Sequence, residues 1–247
     1  MMRRMRTRRY PECAEIAGDY QLRALTEGFV VQRFWHHLKL TIIDRLAKPG
    51  PAMEVLDVGC GSGVVADHLA RTARRVLAID TNRDAIRFAS AHFVRRNLEF
   101  RVADALGLSL GEESFDGIYL LELVEHFPWP HVEALTQTLA CSLKPGGFLF
   151  LTTPNYRSLW PLVERTIDRL GLAPTLAGHQ HISRPTIRLL RGLGLRASLR
   201  ELHLGRVSGL APFASVLGWR LATWVDAIER RCGCPCGNLL VGLWRKE

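Results

Sequence analysis

The segment Val55-Leu56-Asp57-Val58-Gly59-Cys60-Gly61-Ser62-Gly63 carries the densest chemistry in the chain. A buried strand running into three alternating glycines brings bare backbone N–H groups up to a ligand, because no Cβ stands in the way. Asp80 lies seventeen residues after Gly63, at the end of the next apolar run, where a carboxylate accepts hydrogen bonds from both hydroxyls of a ribose. Asp104, followed by Ala105, closes a third run and is placed to meet an adenine edge. Three such strand ends in succession describe a nucleoside pocket. A dinucleotide fold wants Gly-x-Gly-x-x-Gly with its third glycine at position 64, which here is Val64, so a pyrophosphate is disfavoured.

A second reactive group is Leu121-Glu122-Leu123-Val124-Glu125-His126. Two carboxylates and an imidazole at this spacing, joined by His179 or His181 from Gly178-His179-Gln180-His181, suit a divalent cation such as magnesium or manganese. The cation would lower the pKa of a substrate hydroxyl. Without it, His126 or a later histidine serves as general base and Glu122 shares the catalytic role. The bland alternative makes Glu125-His126 part of an ordinary loop. Cys232-x-Cys234-x-Cys236 lacks the usual Cys-x-x-Cys spacing and reads as a loop with free thiols, while Cys60 reads as a small packing residue.

The elements that must position these groups alternate along the chain. Val30, Phe34, Leu38, Ile42 and Leu46 recur every fourth residue and predict a helix within residues 27–46, stopped by Lys48-Pro49-Gly50-Pro51. Residues 11–24 show no period. Apolar runs at 53–58, 75–79, 98–102, 115–121 and 148–152 read as strands, separated by helices over about 64–71, after the cap Asn82, and through Val132, Leu135 and Leu139. Strands spaced by such helices need parallel crossovers, hence an α/β sheet covered on both faces. Beyond Pro154 the pattern predicts helices at 157–170, from Ser183 through Leu190 and at 212–231, with strands at 195–204 and 238–244. One domain over 27–247 is expected, preceded by a flexible basic segment, 1–26, with acceptor-side elements in 156–182 and 205–236.

Composition excludes several classes. Hydrophobic residues make up 47% and charged residues 23% of 247, which is globular rather than disordered or collagen-like. The net charge of +9 falls to +4 without Arg3, Arg4, Arg6, Arg8 and Arg9, so the excess is local to the first nine residues. That tail suits RNA, phosphate or anionic lipid, or is simply a disordered end. The apolar stretch 207–225 is broken by Gly, Pro, Ser and Arg220, so it does not read as a spanning helix, but it suits a membrane surface, a greasy acceptor or a packed interface. Six cysteines make no disulfide scaffold, and the cytoplasm is the expected compartment, with peripheral membrane contact through 207–225.

Asp57-x-Gly59-x-Gly61-x-Gly63, Asp80, Asp104-Ala105 and Leu143-Lys144-Pro145-Gly146-Gly147 together resemble the class I S-adenosylmethionine-dependent methyltransferases. The resemblance covers roughly residues 30–155. It implies a Rossmann-like seven-stranded, mostly parallel sheet with an antiparallel last strand and helices on both faces. It also implies S-adenosylmethionine as methyl donor, contacted by Asp57, Gly59, Cys60, Gly61, Gly63, Asp80, Thr81, Asp104, Ala105 and Leu121. Glu122-x-x-Glu125-His126, Thr153-Pro154-Asn155 and Ser158-Leu159-Trp160 are similar to the ubiquinone-biosynthesis O-methyltransferases, which hold a divalent metal on such a run. By the same likeness Lys39 contacts the donor's carboxylate, although that group carries Arg there. The expectation is methyl transfer to a small-molecule oxygen. An RNA 2′-O-methyltransferase, a noncatalytic cofactor-binding scaffold and a nicotinamide oxidoreductase are the alternatives.

Overall fold

The computed structural model describes residues 17–107, 110–158, 161 and 182–247. The expected helix at 157–170 therefore falls almost wholly outside the described residues, as do His179, His181 and the arginine-rich start.

Seven strands form one sheet in the order β3-β2-β1-β4-β5-β7-β6. They are β1 (Glu54–Val58), β2 (Arg75–Asp80), β3 (Leu98–Val102), β4 (Phe115–Leu121), β5 (Leu143–Pro154), β6 (Leu199–Val207) and β7 (Leu239–Lys246). The first five pair in parallel, and β7 inserts antiparallel between β5 and β6. The described helices are α1 (Tyr20–Thr26), α2 (Val30–Leu46), α3 (Val64–Ala70), α4 (Arg83–His92), α5 (Trp129–Ser142), α6 (Ile187–Arg196), α7 (Ala211–Ala214) and α8 (Trp219–Cys232). The Rossmann-like architecture expected from the sequence is the one found.

Alternation along the central strands explains why both faces must be covered. Val55, Tyr119, Leu121 and Phe150 enter a core shared with Phe34, Trp35, Ile42 and Ile43 of α2 and Leu69 of α3. Leu56, Val58, Ile118, Leu120, Leu149 and Leu151 point the other way, onto Leu135 and Leu139 of α5 and Leu190 and Leu193 of α6. The Tyr119 hydroxyl reaches across the first core and donates to the Ala47 carbonyl at 2.5 Å, fixing the C-terminal end of α2 over the sheet.

The boundaries move in several places, among them β5, which opens at Leu143 and not at Phe148. Tyr20–Thr26 is helical although it shows no apolar period, because it packs against the loop after β1 rather than burying a stripe in a core. The helix of 183–190 starts only after Thr186, whose side chain accepts from Leu189 N, and runs on to Arg196. Leu195 and Arg196 therefore belong to a helix and not to the predicted strand, which begins at Leu199. The single helix at 212–231 is two, split at Gly218, whose φ of +142° no L-residue side chain favours.

Trp244 closes the second core, lying across Gly242 of its own strand and Gly194 of α6. A Cβ at Gly242 would run into the indole. Gly242→Ala is expected to lower stability by about 1–3 kcal/mol, the usual cost of overpacking a close-packed site, read as a shift in the denaturant midpoint with unchanged slope.

Candidate functional site

The order of the sheet reverses at β1, which has β2 on one side and β4 on the other. Ligand sites in open α/β sheets lie beyond the carboxyl ends of strands at such a switch. Here the chain leaves β1 through Gly59, Gly61 and Gly63, with φ of +76°, +49° and +84°. An L-residue is strained in that region, so the three glycines are required by the path of the backbone. Close contact adds a second reason. A Cβ at Gly59 would lie 2.7 Å from Leu123, at Gly61 2.7 Å from Gln21, and at Gly63 2.8 Å from Phe100.

Asp80 holds this loop. Its Oδ2 accepts from Gly61 N and its Oδ1 from Asn82 N, each at 2.8 Å. Asn82 in turn caps α4 by accepting from Asp84 N and Ala85 N. One carboxylate thus connects the glycine loop to the next helix. Asp104 is exposed and makes a local turn, its Oδ1 accepting from Leu106 N at 2.9 Å. Thr81 is exposed and Ala105 half-buried on the same rim.

Beneath the loop lies a cleft lined by His36, Lys39, Asp57, Gly59, Cys60 and Glu122, among others. Leu121 forms its floor, and Gln21 of α1 enters from above. A second tie comes from Leu22 N, which donates to Ser62 Oγ at 3.1 Å. Within the cleft the buried Lys39 ammonium donates to Glu122 Oε2 at 2.5 Å, and Trp35 Nε1 donates to Oε1 at 3.0 Å. Lys39 and Trp35 are four residues apart on α2 and so share one face. Glu122 itself has a φ of +50°, an unusual backbone for glutamate, which turns its side chain back toward α2.

The charges of the cleft follow from this packing. Burial pushes the Glu122 carboxyl upward, but Lys39, His36 and Trp35 outweigh it and hold the group below its ordinary value. Glu125 is 1% exposed and has no cation of its own, so burial, reinforced by the charge on Glu122, raises it to about 8. Burial and the neighbouring Asp80 lift Asp57 to about 7, and its Oδ2 has no hydrogen-bond partner among the described residues. His36 is driven down to about 3 by burial first and Lys39 second, leaving a neutral imidazole in the wall.

This geometry departs from the expected metal set. Glu122 is engaged by Lys39 and Trp35, whereas Glu125 faces inward, its Oε2 accepting from Thr153 Oγ1 at 2.9 Å. A divalent cation needs convergent oxygen ligands, and here the two carboxyls turn to different partners, Lys39 and Thr153. His126 sits half-buried in the turn Val124–His126. Among the described residues no group of three or more His, Cys, Asp or Glu side chains is arranged to hold a metal, and Cys232, Cys234 and Cys236 are free thiols.

Sequence reasoning placed Lys39 and the glycine loop in the site but missed His36, Trp35 and Gln21. Part of the signal for α2 was present, since Lys39 directly follows Leu38 of the apolar repeat, where a buried lysine needs a partner. Gln21 carried no such signal.

Residues 55–147 match the family model described as "Methyltransferase domain". A ubiquinone biosynthesis O-methyltransferase of Xanthomonas campestris pv. campestris is 38% identical over 114 residues, 45% of this chain and 46% of that protein. One from Xanthomonas oryzae pv. oryzae is 34% identical over 168 residues, 63% and 65% of the two chains. The chain spans about half the length of the first of these relatives. Among solved structures, a methyltransferase described as S-adenosylmethionine-dependent, from Archaeoglobus fulgidus, superposes with a TM-score of 0.64 at 16% identity, covering 91% of this chain and 98% of that one. The N-methyltransferase NodS of Bradyrhizobium japonicum, solved with S-adenosylhomocysteine, superposes with a TM-score of 0.55 at 17% identity and 90% coverage of each.

The buried carboxyls predict a pH dependence of stability. Glu125 keeps its proton in the folded chain up to about pH 8, against 4.5 ordinarily. The folded state therefore binds more protons across that window, and stability present below it is lost as pH rises through it. Asp57 adds the same trend between 3.8 and about 7. Glu125→Gln keeps the neutral shape, so its thermal midpoint is expected to fall less between pH 5 and pH 8 than the parent's. Parallel curves would show that Glu125 is not the titrating group.

Proposed function

We propose that this chain, which carries a methyltransferase domain over residues 55–147, transfers the methyl group of S-adenosylmethionine to an oxygen of a small-molecule acceptor. The observation that carries this reading is the run of three glycines at positive φ, held by Asp80 at the switch point of the sheet, inside the matched segment. The chemistry needs nucleophile, methyl carbon and sulfur in line, so positioning is the protein's main contribution. The oxygen–carbon bond forms as the carbon–sulfur bond breaks, the sulfonium becomes a thioether, and the acceptor's proton leaves.

Each residue then has a role. The backbone of Gly59, Cys60 and Gly61 runs along the donor's amino-acid arm, with Asp57 and Gly63 shaping the turn. Asp80 turns its carboxylate to the ribose hydroxyls, while Thr81, Asp104 and Ala105 border the adenine. Lys39 binds the donor's carboxylate, exchanging part of its pairing with Glu122 for that contact, and Leu121 lies beside the sulfur. His126, in the turn after β4, takes the proton from the acceptor. Glu122 and Glu125 turn to Lys39 and Thr153, and His179 and His181 lie outside the described residues, so no step here is routed through a metal. Acceptors of the ubiquinone-precursor class are favoured by the relatives' names and by the run Glu122–His126.

The test is a calorimetric titration with S-adenosylhomocysteine, paired with turnover of methyl-labelled donor on phenolic acceptors. Binding to the parent is expected, weakened about ten- to a hundred-fold in Asp80→Ala, the size of a lost charge-assisted hydrogen bond. Lys39→Met is expected to weaken it comparably. A folded chain that does not bind S-adenosylhomocysteine overturns the reading. Binding without turnover favours the scaffold alternative, and label appearing in RNA favours the 2′-O-methyltransferase.

A further inference from the structure

The α7–α8 segment carries apolar side chains that are exposed among the described residues. Leu217 is 81% exposed, Trp224 63% and Leu210 61%, with Val216, Leu221 and Ile228 also open to water. At 100° per residue along α8, Leu221, Trp224 and Ile228 fall on one face. The opposite face holds the buried Ala222 and Asp226. Trp219 anchors the start of the helix, packing edge-on against Phe34 at 5.1 Å and His37 at 5.2 Å. The exposed stripe is thus the outer side of a helix already seated on α2.

Charge identifies the occupant. Arg220 lies four residues before Trp224 and Arg231 seven after it, so both border the stripe, and both are exposed. Neither has an acidic partner among the described residues. The two acids of the segment are turned inward: Asp226 pairs with Arg230, and Glu229 accepts from Gly209 N and Leu210 N. Burial, with Arg45 and Arg231 adding their charge, holds the Arg230 pKa below its usual value, so cations crowd this end of the molecule. A water-facing tryptophan and aliphatic stripe edged by unpaired arginines, with no outward carboxylate, suits an anionic bilayer, where the apolar side chains enter the acyl boundary and the arginines meet phosphates.

We propose that α7 and the outer face of α8 dock this protein on anionic phospholipid membranes, with Leu217, Leu221, Trp224 and Ile228 inserted and Arg220 and Arg231 at the headgroups. This face stands independently of the methyl-transfer reading.

The test is co-sedimentation of the full chain with vesicles of phosphatidylcholine and phosphatidylglycerol in equal parts, and with phosphatidylcholine alone. Stronger binding to the mixed vesicles is expected, falling as salt rises. Trp224→Glu and Ile228→Glu should each weaken it roughly ten-fold or more, and Arg220→Gln and Arg231→Gln about five-fold each. These positions are exposed, so the variants should melt as the parent does. Brominated acyl chains should quench a tryptophan signal that disappears in Trp224→Phe. That readout separates α8 from the arginines of residues 1–9, which also favour anionic lipid. Unaltered vesicle binding in the α8 variants, or an unquenched Trp224 on bound protein, overturns the proposal. So does a dimer in sedimentation that Trp224→Glu dissolves, because the face is then an interface between copies.

Discussion

The hydrogen bonds from Gly61 N and Asn82 N to the two oxygens of Asp80 are the constraint on which the ligand side of the sheet depends. They tie the exit of β1 to the exit of β2, two strands that the sheet itself connects only along their lengths. A loop of three glycines has many conformations to lose, and one carboxylate selects among them. Gly59 N and Cys60 N add to this by both donating to the Ile79 carbonyl, at 2.8 and 3.0 Å. The loop is held from the β2 side, with one further tie from Leu22 N of α1 to Ser62 Oγ. Its other edge faces the cleft, where the residues of α2 take over.

On that edge the Lys39–Glu122 pair sets the terms. Burying two charges costs more than their attraction returns unless geometry and further hydrogen bonds compensate, and an apolar pair of similar volume would often serve stability better. Trp35 supplies one further bond. The strained backbone of Glu122 adds a cost. A fold selected only for stability has no reason to keep this arrangement at the carboxyl end of β4. A site that must present a cation toward one end of a zwitterionic ligand has one. The pairing also accounts for Glu125: with Glu122 ionised nearby and no cation left for it, the second carboxyl is more stable protonated.

How much of this was legible in the residues follows from which forces are local. Strands β1 to β5 were readable because apolar runs bounded by Gly, Asp and Pro are written into contiguous sequence, and the glycine loop with Asp80 announced the site. The end of α6 and the start of β6 were not, because Leu195 and Arg196 suit either element and only the packing of Leu190 and Leu193 on the second core chooses the helix. The Glu122-x-x-Glu125-His126 run was legible only in part. Its spacing is that of a metal site, but spacing does not tell which way a carboxylate turns. A partner 83 residues away, Lys39, and another 28 residues away, Thr153, send the two glutamates in different directions. Gln21 was silent for a related reason: its position over Gly61 depends on where α1 lands, not on any property of its own segment.

Under the proposed methyl transfer, the same charge arrangement would suit a sulfonium donor. In methyl transfer the donor begins as a cation and ends neutral, so a site that stabilises the starting cation strongly deepens the ground state and slows the step. The cleft avoids this by cancellation. Glu122 is matched by Lys39, Glu125 keeps its proton, Asp57 is raised toward neutrality, and His36 is a neutral ring. Four ionisable groups line or underlie the cleft beside Lys39, yet the net field they present is small. In the proposed scheme donor affinity would come from Asp80 and the loop backbone, at the adenosine end and away from the bond that breaks. A substitution that ionised Glu125 would strengthen attraction for the cation where the reaction can least use it. The protonation of that buried carboxyl follows from its burial and from the charge on Glu122, and under the proposed methyl transfer it would also keep the cleft from holding the donor's cation too tightly.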